Sequence, residues 1–408
     1  MLPDVRTGDS GRVVLAAVCA TALHVGGMPA RQCDPERHAC AVTRFDSATF
    51  DPIVLEGIRR GAYPGAALAI GRDDTVLYLK GYGRLTWSVT SPPVDPTSTL
   101  YDLASLTKVI ATTTAVMILV ERGQLRLDAP VATYVQEFNG SGTAAVTVRE
   151  LLSHTSGLRA DLSPAEIRSA RDSSSLRRLV YAETPRVSPG SRVTYSDLNA
   201  VLLGEIVRRT SGEPLDAFAG REIFAPLGMR HTMFRPAARL GRRIAPTGMW
   251  RGQDVAGVVN DPTAAKLGGV AGNAGLFAAA QDVARFAQFI LRRGTTAEGQ
   301  RLVRAETIRE FTTRAAYTGG TGEARALGWQ AVPTGEAVSS AGSRFGATSF
   351  GHTGWTGTSL WIDPARNLFV VLLTNRAFAP RSRTPFTIVK QVRGRLADAA
   401  AEAHDDGR

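Results

Sequence analysis

The amino-acid sequence predicts an α+β fold: an antiparallel sheet built from both termini and flanked by helices, plus an all-helical lobe. Two strand-like runs, residues 66–71 and 75–81, lie near the start of the body of the chain. Two more, residues 358–362 and 368–374, lie near its end. Between these pairs apolar residues recur at helical spacing. Strands at both ends with helices between them therefore indicate one sheet assembled from the two termini.

Length and composition limit the classes of protein. The 408 residues are 44% hydrophobic, which is enough for a large core, and 21% charged without a low-complexity tract, which argues against disorder. The net charge of +11 comes from scattered arginines without a nucleic-acid motif, so no nucleic-acid partner is predicted. Two explanations of the positive charge stay open. One is an arginine-rich composition without a functional role, and the other is attraction to acidic envelope polymers or to an anionic membrane surface.

We interpret residues 1–44 as a leader and linker. Residues 13–25 are apolar, follow Arg6 and Arg12, and contain Ala20-Thr21-Ala22, which has the A-x-A form of a signal-peptidase site. This pattern predicts a periplasmic or secreted protein. Asp4 and Asp9 reduce the positive charge that precedes the apolar run. No run reaches the ~18–20 apolar residues of a membrane-spanning helix, so none is predicted.

All three cysteines lie within the first 40 residues, so cysteine catalysis in the body is excluded. Cys33 and Cys40 are candidates for a disulfide in an oxidising compartment. With His38 they would be candidates for a metal site, but further ligands are missing, and no metal or cofactor is predicted. A lipid anchor at Cys19 is the weaker alternative, because Val18 is large where such sites have a small residue.

The elements follow in chain order. A helix over 50–60 precedes a hairpin that turns at Asp73-Asp74. Further helices are predicted at 109–120, 146–154, 160–187, 198–209, 214–224 and 281–293, with an irregular glycine-rich stretch at 246–277. After the last strands the chain is helical from Thr384 and charged towards its end. The predicted domains are a serine-bearing body at 45–395, with sheet lobe 45–100 and 340–395 and helical lobe 101–339, and a charged tail at 396–408.

The stretch from Tyr101 to Gly123 carries the candidate chemistry. A helix that is apolar on every side is a buried one, and it places Ser105 near its start with Lys108 one turn further on. A serine hydroxyl needs a base to become a nucleophile, and a lysine stripped of water loses its proton more easily. Ser-x-x-Lys is common by chance. However, only four of the 48 basic residues are lysines, and a buried lysine without a partner would be costly.

Two further short stretches have suitable chemistry. Tyr195-Ser196-Asp197 lies where a loop meets a helix, so its side chains are able to face a cleft. His352-Thr353-Gly354 opens a strand, and its glycines leave room for a substrate close to the backbone. His154 lies in a Ser-His-Thr-Ser run without an acid partner, and we interpret it as structural.

In this order and spacing, the three motifs resemble those of the serine β-lactamase and penicillin-binding protein superfamily, in its class C-like branch. The resemblance covers about residues 50–395 and includes the phrases L-L-S-H-T-S-G-L and G-H-T-G-W-T-G-T-S-L-W-I-D-P. It implies a five-stranded antiparallel sheet flanked by helices, an all-helical lobe, and a site between them.

The resemblance also implies a role for each matching residue. Ser105 would be the nucleophile, Lys108 its activating neighbour, and Tyr195 the carrier of a proton to the leaving group. The backbone N–H groups of Ser105 and Trp355 would form the oxyanion hole. Tyr195 is the first candidate for the base, and Lys108 is a second candidate that would share this role.

Four other positions would contact the substrate. Thr353 and Gly354 match the Lys-Thr-Gly element, but His352 replaces its lysine. Asp197 replaces the usual asparagine and should disfavour a substrate with a nearby carboxylate, unless a protonated His352 offsets it. These departures weaken the case for an efficient β-lactamase. No class A glutamate loop is recognisable, so the deacylation step stays open.

We therefore expect a serine hydrolase that works through an acyl-enzyme on a peptide, amide, ester or β-lactam carbonyl, without a cofactor. A small molecule or a peptide, including a cell-wall peptide, would be the substrate. One alternative is a penicillin-binding or sensor protein that does not turn over. Another is a structural envelope protein, which leaves a buried Lys108 unexplained.

Overall fold

The computed structural model describes residues 45–315, 324–332, 339–378 and 386–406. The helices are α1 Ser47–Arg59, α2 Thr114–Glu121, α3 Val148–Leu152, α4 Pro164–Ser169, α5 Ser173–Tyr181, α6 Asp197–Ser211, α7 Leu215–Ala219, α8 Pro262–Lys266, α9 Ala280–Leu291, α10 Ala305–Thr312 and α11 Phe386–Asp405. The strands are β1 Gly65–Arg72, β2 Thr75–Gly83, β3 Tyr101–Asp102, β4 Thr232–Phe234, β5 Gly248–Trp250, β6 Gln253–Val255, β7 Leu276–Ala278, β8 Gln330–Ala331, β9 Phe350–Thr353, β10 Ser359–Asp363 and β11 Leu368–Thr374.

The main sheet joins the two ends of the body, as predicted. Its strand order is β2-β1-β11-β10-β9-β8, and every neighbouring pair is antiparallel. The register places Ala66 opposite Thr374 and Arg72 opposite Leu368. The α+β prediction is confirmed, but the sheet has six strands rather than five, because the two-residue β8 extends the edge beyond β9.

Both faces of the sheet are buried, and the alternation of side chains along the strands divides them. Leu68 and Ile70 of β1 face the cluster that contains residues of α1 and α11, such as Phe50 and Leu396. Ala67 and Ala69 face the larger cluster, which continues into α9 and the helical lobe. A strand with successive residues on opposite faces and helices on both sides reads as a continuous apolar run.

The predicted charged tail at 396–408 is wrong for residues 396–405. Helix α11 continues to Asp405, and four side chains of its last turns are fully buried against the sheet: Leu396, Ala397, Ala400 and Ala401. Arg366 also forms a two-pronged ion pair with Asp405, with distances of 2.9 Å to both carboxylate oxygens. Charged residues are interspersed among alanines in residues 396–405. The composition therefore indicated a polar tail, although one face of the helix is apolar.

The segment 101–339 is not all helical, which corrects the second lobe. It contains a three-stranded sheet in the order β3-β7-β4, the hairpin β5-β6, and β8 of the main sheet. The predicted helix over 160–187 is two shorter helices, α4 and α5. Each begins with a reciprocal pair of side-chain caps, Ser163 with Glu166 and Asp172 with Ser175.

The helix that follows Ser105 is buried on all sides, as predicted, but its first part is not α-helical. Residues Lys108–Thr113 form a π-helical turn, and α2 follows without a break. Within the described residues, no helix is long and apolar enough to cross a membrane. The predicted leader, with Cys19, Cys33 and Cys40, lies outside the described residues.

Candidate active site

A cleft of about 540 Å³ contains the predicted site residues. It is lined by Ser105, Tyr195, Asp197, His352, Thr353, Gly354 and Trp355, together with Asn260, Asp261, Arg325 and Phe386. Lys108 is 3% exposed and lies behind Ser105. The fold thus brings all eight predicted positions to one place, from three distant parts of the chain.

Ser105 is presented by a sharp backbone turn. Ala104, immediately before it, has a φ of +47°, a left-handed conformation that costs energy for a residue with a Cβ. The buried Asp102 carboxylate accepts hydrogen bonds from the backbone N–H of Ala104 (2.9 Å) and Asn260 (2.7 Å). Burial raises the pKa of Asp102 to about 6, against the lowering effect of these hydrogen bonds. Asp102, which the sequence analysis did not single out, therefore stabilises the strained turn through these hydrogen bonds.

Several polar groups surround the Nζ of Lys108. Its Nζ donates to Ser105 Oγ at 3.0 Å and to the backbone carbonyl of Asn273 at 2.9 Å, and it lies 2.5 Å from Asp197 Oδ1. Burial lowers the pKa of Lys108, but the negative charge of Asp197 and the contact with Tyr195 outweigh it, so the pKa is raised. The expectation of a lysine neutralised by burial is wrong for the resting enzyme. Lys108 is an ammonium there.

Tyr195 completes the contacts of the serine. Its hydroxyl donates to Ser105 Oγ at 2.9 Å. Its ring lies 4.7 Å from the ring of His154, 5.9 Å from that of His352, and 5.0 Å from the Arg325 guanidinium. Burial raises the pKa of Tyr195, although the Lys108 charge opposes this shift. The phenol is therefore neutral at rest and able to give a proton.

Asp197 stands at the first position of α6, where the helix dipole favours a negative charge. Besides pairing with Lys108, it forms a cluster with Asp161 and Asp261, in which one oxygen of each carboxylate lies within 4.8 Å of the others. Burial and then the charge of Asp197 raise the pKa of Asp161 to about 6 and also raise that of Asp261. One wall of the cleft is thus acidic.

The His352-Thr353-Gly354 stretch forms the opposite wall, at the end of β9. His352 Nδ1 lies 2.9 Å from the Thr353 carbonyl, and burial with the charges of Arg325 and Lys108 holds its pKa well below the usual value. A neutral imidazole does not offset the charge of Asp197, so the exception allowed for a protonated His352 does not apply. Lys108 offsets it instead.

Gly354 has a structural reason that differs from the predicted one. A Cβ at this position would overlap Thr358 Oγ1 and the carbonyl oxygen of Leu103. The glycine therefore lets β9 approach the turn that carries the nucleophile.

The two predicted oxyanion-hole donors lie on this cleft. Among the described residues, neither the Ser105 N–H nor the Trp355 N–H donates to a protein acceptor. Two such unused backbone donors beside a serine hydroxyl are suited to stabilise charge on a carbonyl oxygen.

Sequence reasoning did not single out several residues of the site, among them Asp102, Asn260, Asp261, Asn273 and Arg325. Asp102 lies three residues before Ser105 but was given no role, and the others lie outside the three motifs. His154 was interpreted as structural, and the structure agrees with a position behind the site: Nδ1 accepts from the backbone N–H of Ser196 at 3.1 Å, while the ring packs on Tyr195.

The fold and the cleft define a class of protein: a serine hydrolase whose serine hydroxyl is contacted by a lysine and a tyrosine. Comparison with known proteins agrees, because the family model described as Beta-lactamase matches residues 50–392. The chain belongs to the β-lactamase family.

Among curated proteins, the chain is similar to one that is provisionally named a D-alanyl-D-alanine carboxypeptidase in Escherichia coli O157:H7. The two are 31% identical over 379 residues, which is 85% of each chain. Among solved structures, a class C β-lactamase from Rhodobacter sphaeroides has a TM-score of 0.67 at 22% identity, covering 88% of this chain and 99% of that one. A penicillin-binding protein homologue from Caulobacter crescentus has a TM-score of 0.68 at 23% identity, covering 87% and 97%. These structural likenesses support the fold.

Proposed function

We propose that this enzyme is a D-alanyl carboxypeptidase-like hydrolase that forms an acyl-enzyme on Ser105. One observation carries the proposal: Ser105 Oγ receives hydrogen bonds from Lys108 Nζ at 3.0 Å and from Tyr195 OH at 2.9 Å, at the floor of an open cleft. The 31%-identical relative named as a carboxypeptidase favours a peptide substrate. Esters and β-lactams present the same carbonyl chemistry and are alternative acyl donors.

The reaction takes two steps. Ser105 Oγ attacks the carbonyl carbon, and the resulting oxyanion is stabilised by the N–H groups of Ser105 and Trp355. Tyr195 passes a proton to the leaving group, which departs and leaves the acyl-enzyme. A water molecule then attacks the ester, and Ser105 is released with its proton restored.

The charge distribution of the cleft suggests how a peptide would lie. A peptide that ends in D-alanine carries a carboxylate next to the bond to be cleaved. Arg325, a cation that is 4% exposed, lines the cleft together with Thr353. We infer that the carboxylate is held there, because an arginine matches a carboxylate in charge and in hydrogen-bond geometry. A cell-wall peptide and a location outside the cytoplasm fit this substrate and the leader-like segment.

The test is release of the C-terminal residue from a peptide that ends in D-Ala-D-Ala, compared with the same peptide ending in D-Ala-L-Ala and with its C-terminal amide. We expect release from the first peptide only, and none from a Ser105→Ala variant. Turnover of the amide at the same rate would contradict the carboxylate contact. Turnover of short esters without any peptide cleavage would make the enzyme an esterase. A lasting penicillin adduct without turnover would favour the binding or sensor alternative.

A further inference from the structure

A buried arginine contacts the loop that carries Trp355. Arg393 of α11 is 2% exposed, and within the described part of the chain no carboxylate forms an ion pair with it. Burial, followed by the charge of Arg376, lowers the pKa of Arg393 to about 9, so the side chain is still a cation at neutral pH. A buried cation without a counter-charge costs stability, so its position needs another explanation.

The Arg393 guanidinium binds the backbone of residues 354–358. Its Nη2 donates to the carbonyl oxygens of Gly354 at 3.0 Å and of Thr358 at 2.7 Å. Both oxygens also have backbone partners: the Gly354 carbonyl accepts from the Gly357 N–H at 3.0 Å, and the Thr358 carbonyl accepts from the Gly354 N–H at 2.8 Å. The turn is therefore closed by its own backbone, and the arginine adds a charged donor to carbonyls that already have a partner.

The Gly354 carbonyl belongs to the same peptide group as the Trp355 N–H, the predicted oxyanion-hole donor. A trans peptide group is planar, and its C=O and N–H point in opposite directions. A hydrogen bond to the oxygen withdraws electron density from the nitrogen, which makes the N–H a stronger donor. Rotation of this peptide group would break the bond to Arg393. The guanidinium therefore acts on both the strength and the direction of the donor.

A second arginine contacts the other side of Trp355. Arg376 Nη1 donates to the Trp355 carbonyl at 3.4 Å, and its guanidinium carbon lies 5.1 Å from the centre of the Trp355 ring and 4.5 Å from that of Phe386. The guanidinium carbon of Arg393 lies 5.3 Å from the centre of the Phe386 ring. Phe386 in turn stacks on Trp355 with a centroid distance of 6.0 Å. Two positive charges therefore lie against the loop that carries the donor.

We propose that Arg393 is a positioning residue for the oxyanion hole: it orients the peptide group between Gly354 and Trp355 and strengthens its N–H as a donor. The charge that develops on the carbonyl oxygen of the acyl donor then meets a group that is fixed before the reaction begins. Arg393 acts only through the backbone and touches no substrate. The inference rests on the proposed acyl-enzyme, and the two fail differently. Without an acyl-enzyme on Ser105 the wild type itself is inactive, whereas a wrong role for Arg393 leaves the wild type active.

Arg393→Met separates catalysis from stability. Methionine replaces a buried cation by an apolar side chain of similar length, and the two carbonyls keep their backbone partners. We therefore expect the variant to melt near the wild-type temperature or above it. Acylation should nevertheless fall by about 10–100-fold, which is less than the loss of a whole oxyanion-hole donor costs. KM should change by less than about threefold, because the contact favours the transition state over the bound substrate.

The test measures acylation by p-nitrophenyl butyrate after rapid mixing, the KM for this ester, and the affinity of butylboronic acid. The boronic acid forms a tetrahedral adduct with a serine hydroxyl, and one of its oxygens takes the place of the oxyanion. Its affinity should fall in Arg393→Met by about the same factor as the acylation rate. Arg393→Lys keeps a donor nitrogen but is shorter and not planar, so its acylation rate should lie between those of Arg393→Met and the wild type.

The matched control is Arg84→Met. Arg84 also donates to a backbone carbonyl, that of Ser91 at 2.7 Å, but it does not line the cleft, so this variant should acylate at the wild-type rate. Acylation by Arg393→Met within about threefold of the wild type, a loss confined to KM, or an unchanged affinity for the boronic acid would overturn the proposal. If Arg393→Met does not fold, the same measurements on Arg393→Lys decide, with a loss of acylation of at least about threefold expected.

Discussion

The hydroxyl of Tyr195 donates to Ser105 Oγ and interacts with Lys108, whereas its ring is held by several neighbours. We therefore expect Tyr195→Phe to lower the turnover rate by about 10²–10⁴-fold while the melting temperature changes little. Steady-state hydrolysis of a butyrate ester and a thermal melt measure the two effects. A control is Tyr134→Phe, whose hydroxyl accepts from the Arg126 N–H away from the cleft. Full activity of Tyr195→Phe would remove Tyr195 from the proton path.

Two buried histidines predict how stability depends on pH. Burial, followed by the charge of Arg325, holds the pKa values of His154 and His352 well below the usual 6.5. Unfolding lets both residues bind protons at their ordinary pKa, so their stabilising contribution is present above about pH 6.5 and is lost as the pH falls below it. We expect the free energy of unfolding to decline over this range in urea titrations.

His154→Asn isolates one of the two histidines. Asparagine offers an acceptor for the Ser196 N–H and tolerates the φ of +59° at this position. The decline of stability with acid should therefore be less steep in the variant than in the wild type. Equal slopes would mean that His154 does not take up a proton on unfolding.

The sequence predicted which residues come together at the cleft, but it did not predict the charge state of Lys108. The spacing of Ser105 and Lys108 placed the pair correctly, because three residues make one helical turn regardless of what surrounds them. The charge of Lys108 depends on Asp197, which comes from another helix. No local pattern shows that a partner from elsewhere in the chain will outweigh the effect of burial.

Helix α6 and the loop before β7 approach closely enough to fix the position of Lys108. A Cβ at Gly272 would overlap the Ala200 carbonyl oxygen, and the Gly272 carbonyl accepts from Thr112 Oγ1 at 2.7 Å. We expect Gly272→Ala to destabilise the fold by about 1–3 kcal/mol and to lower activity, because the adjacent Asn273 carbonyl holds Lys108.

Gly220→Ala is the matched control for this substitution. Gly220 has helical backbone angles, and a Cβ there would meet nothing within 4 Å. It should be neutral or stabilising by up to about 1 kcal/mol in denaturant titrations. Equal stability of the two variants would contradict the close approach as a cause.

The elements that the sequence predicted are those with long periodic patterns, such as α6, α9 and the strands β1, β2, β10 and β11. The elements that it missed are short or depend on distant partners. Strand β8 has two residues, Gln330–Ala331, and exists only because β9 offers a free edge. In the π-helical turn at Lys108–Thr113 the backbone hydrogen bonds span five residues rather than the four of an α-helix, which composition does not reveal.

At the scale of the whole molecule, the end of the chain completes the sheet domain. A chain that stops at Arg395 loses Leu396, Ala397, Ala400 and Ala401 from the core, and loses the Arg366–Asp405 ion pair. Removal of a buried leucine alone costs about 2–5 kcal/mol, so we expect the truncated chain to be largely unfolded.

The comparison is Glu402→Ala in the full chain, which removes a half-exposed ion pair with Arg344. Such pairs contribute about 0–1 kcal/mol, so this variant should melt near the wild-type temperature. Soluble yield and thermal melts measure both changes. A folded, active chain ending at Arg395 would mean that residues 396–405 are a tail, as the composition suggested.

We propose that catalysis passes through an acyl group on Ser105. The most direct measurement is the mass of the intact protein after brief mixing with p-nitrophenyl butyrate and an acid quench, followed by peptide mapping. We predict one butyryl group on Ser105 in the wild type and none in a folded Ser105→Ala variant. An adduct on another residue, or hydrolysis that continues unchanged in Ser105→Ala, would contradict the account.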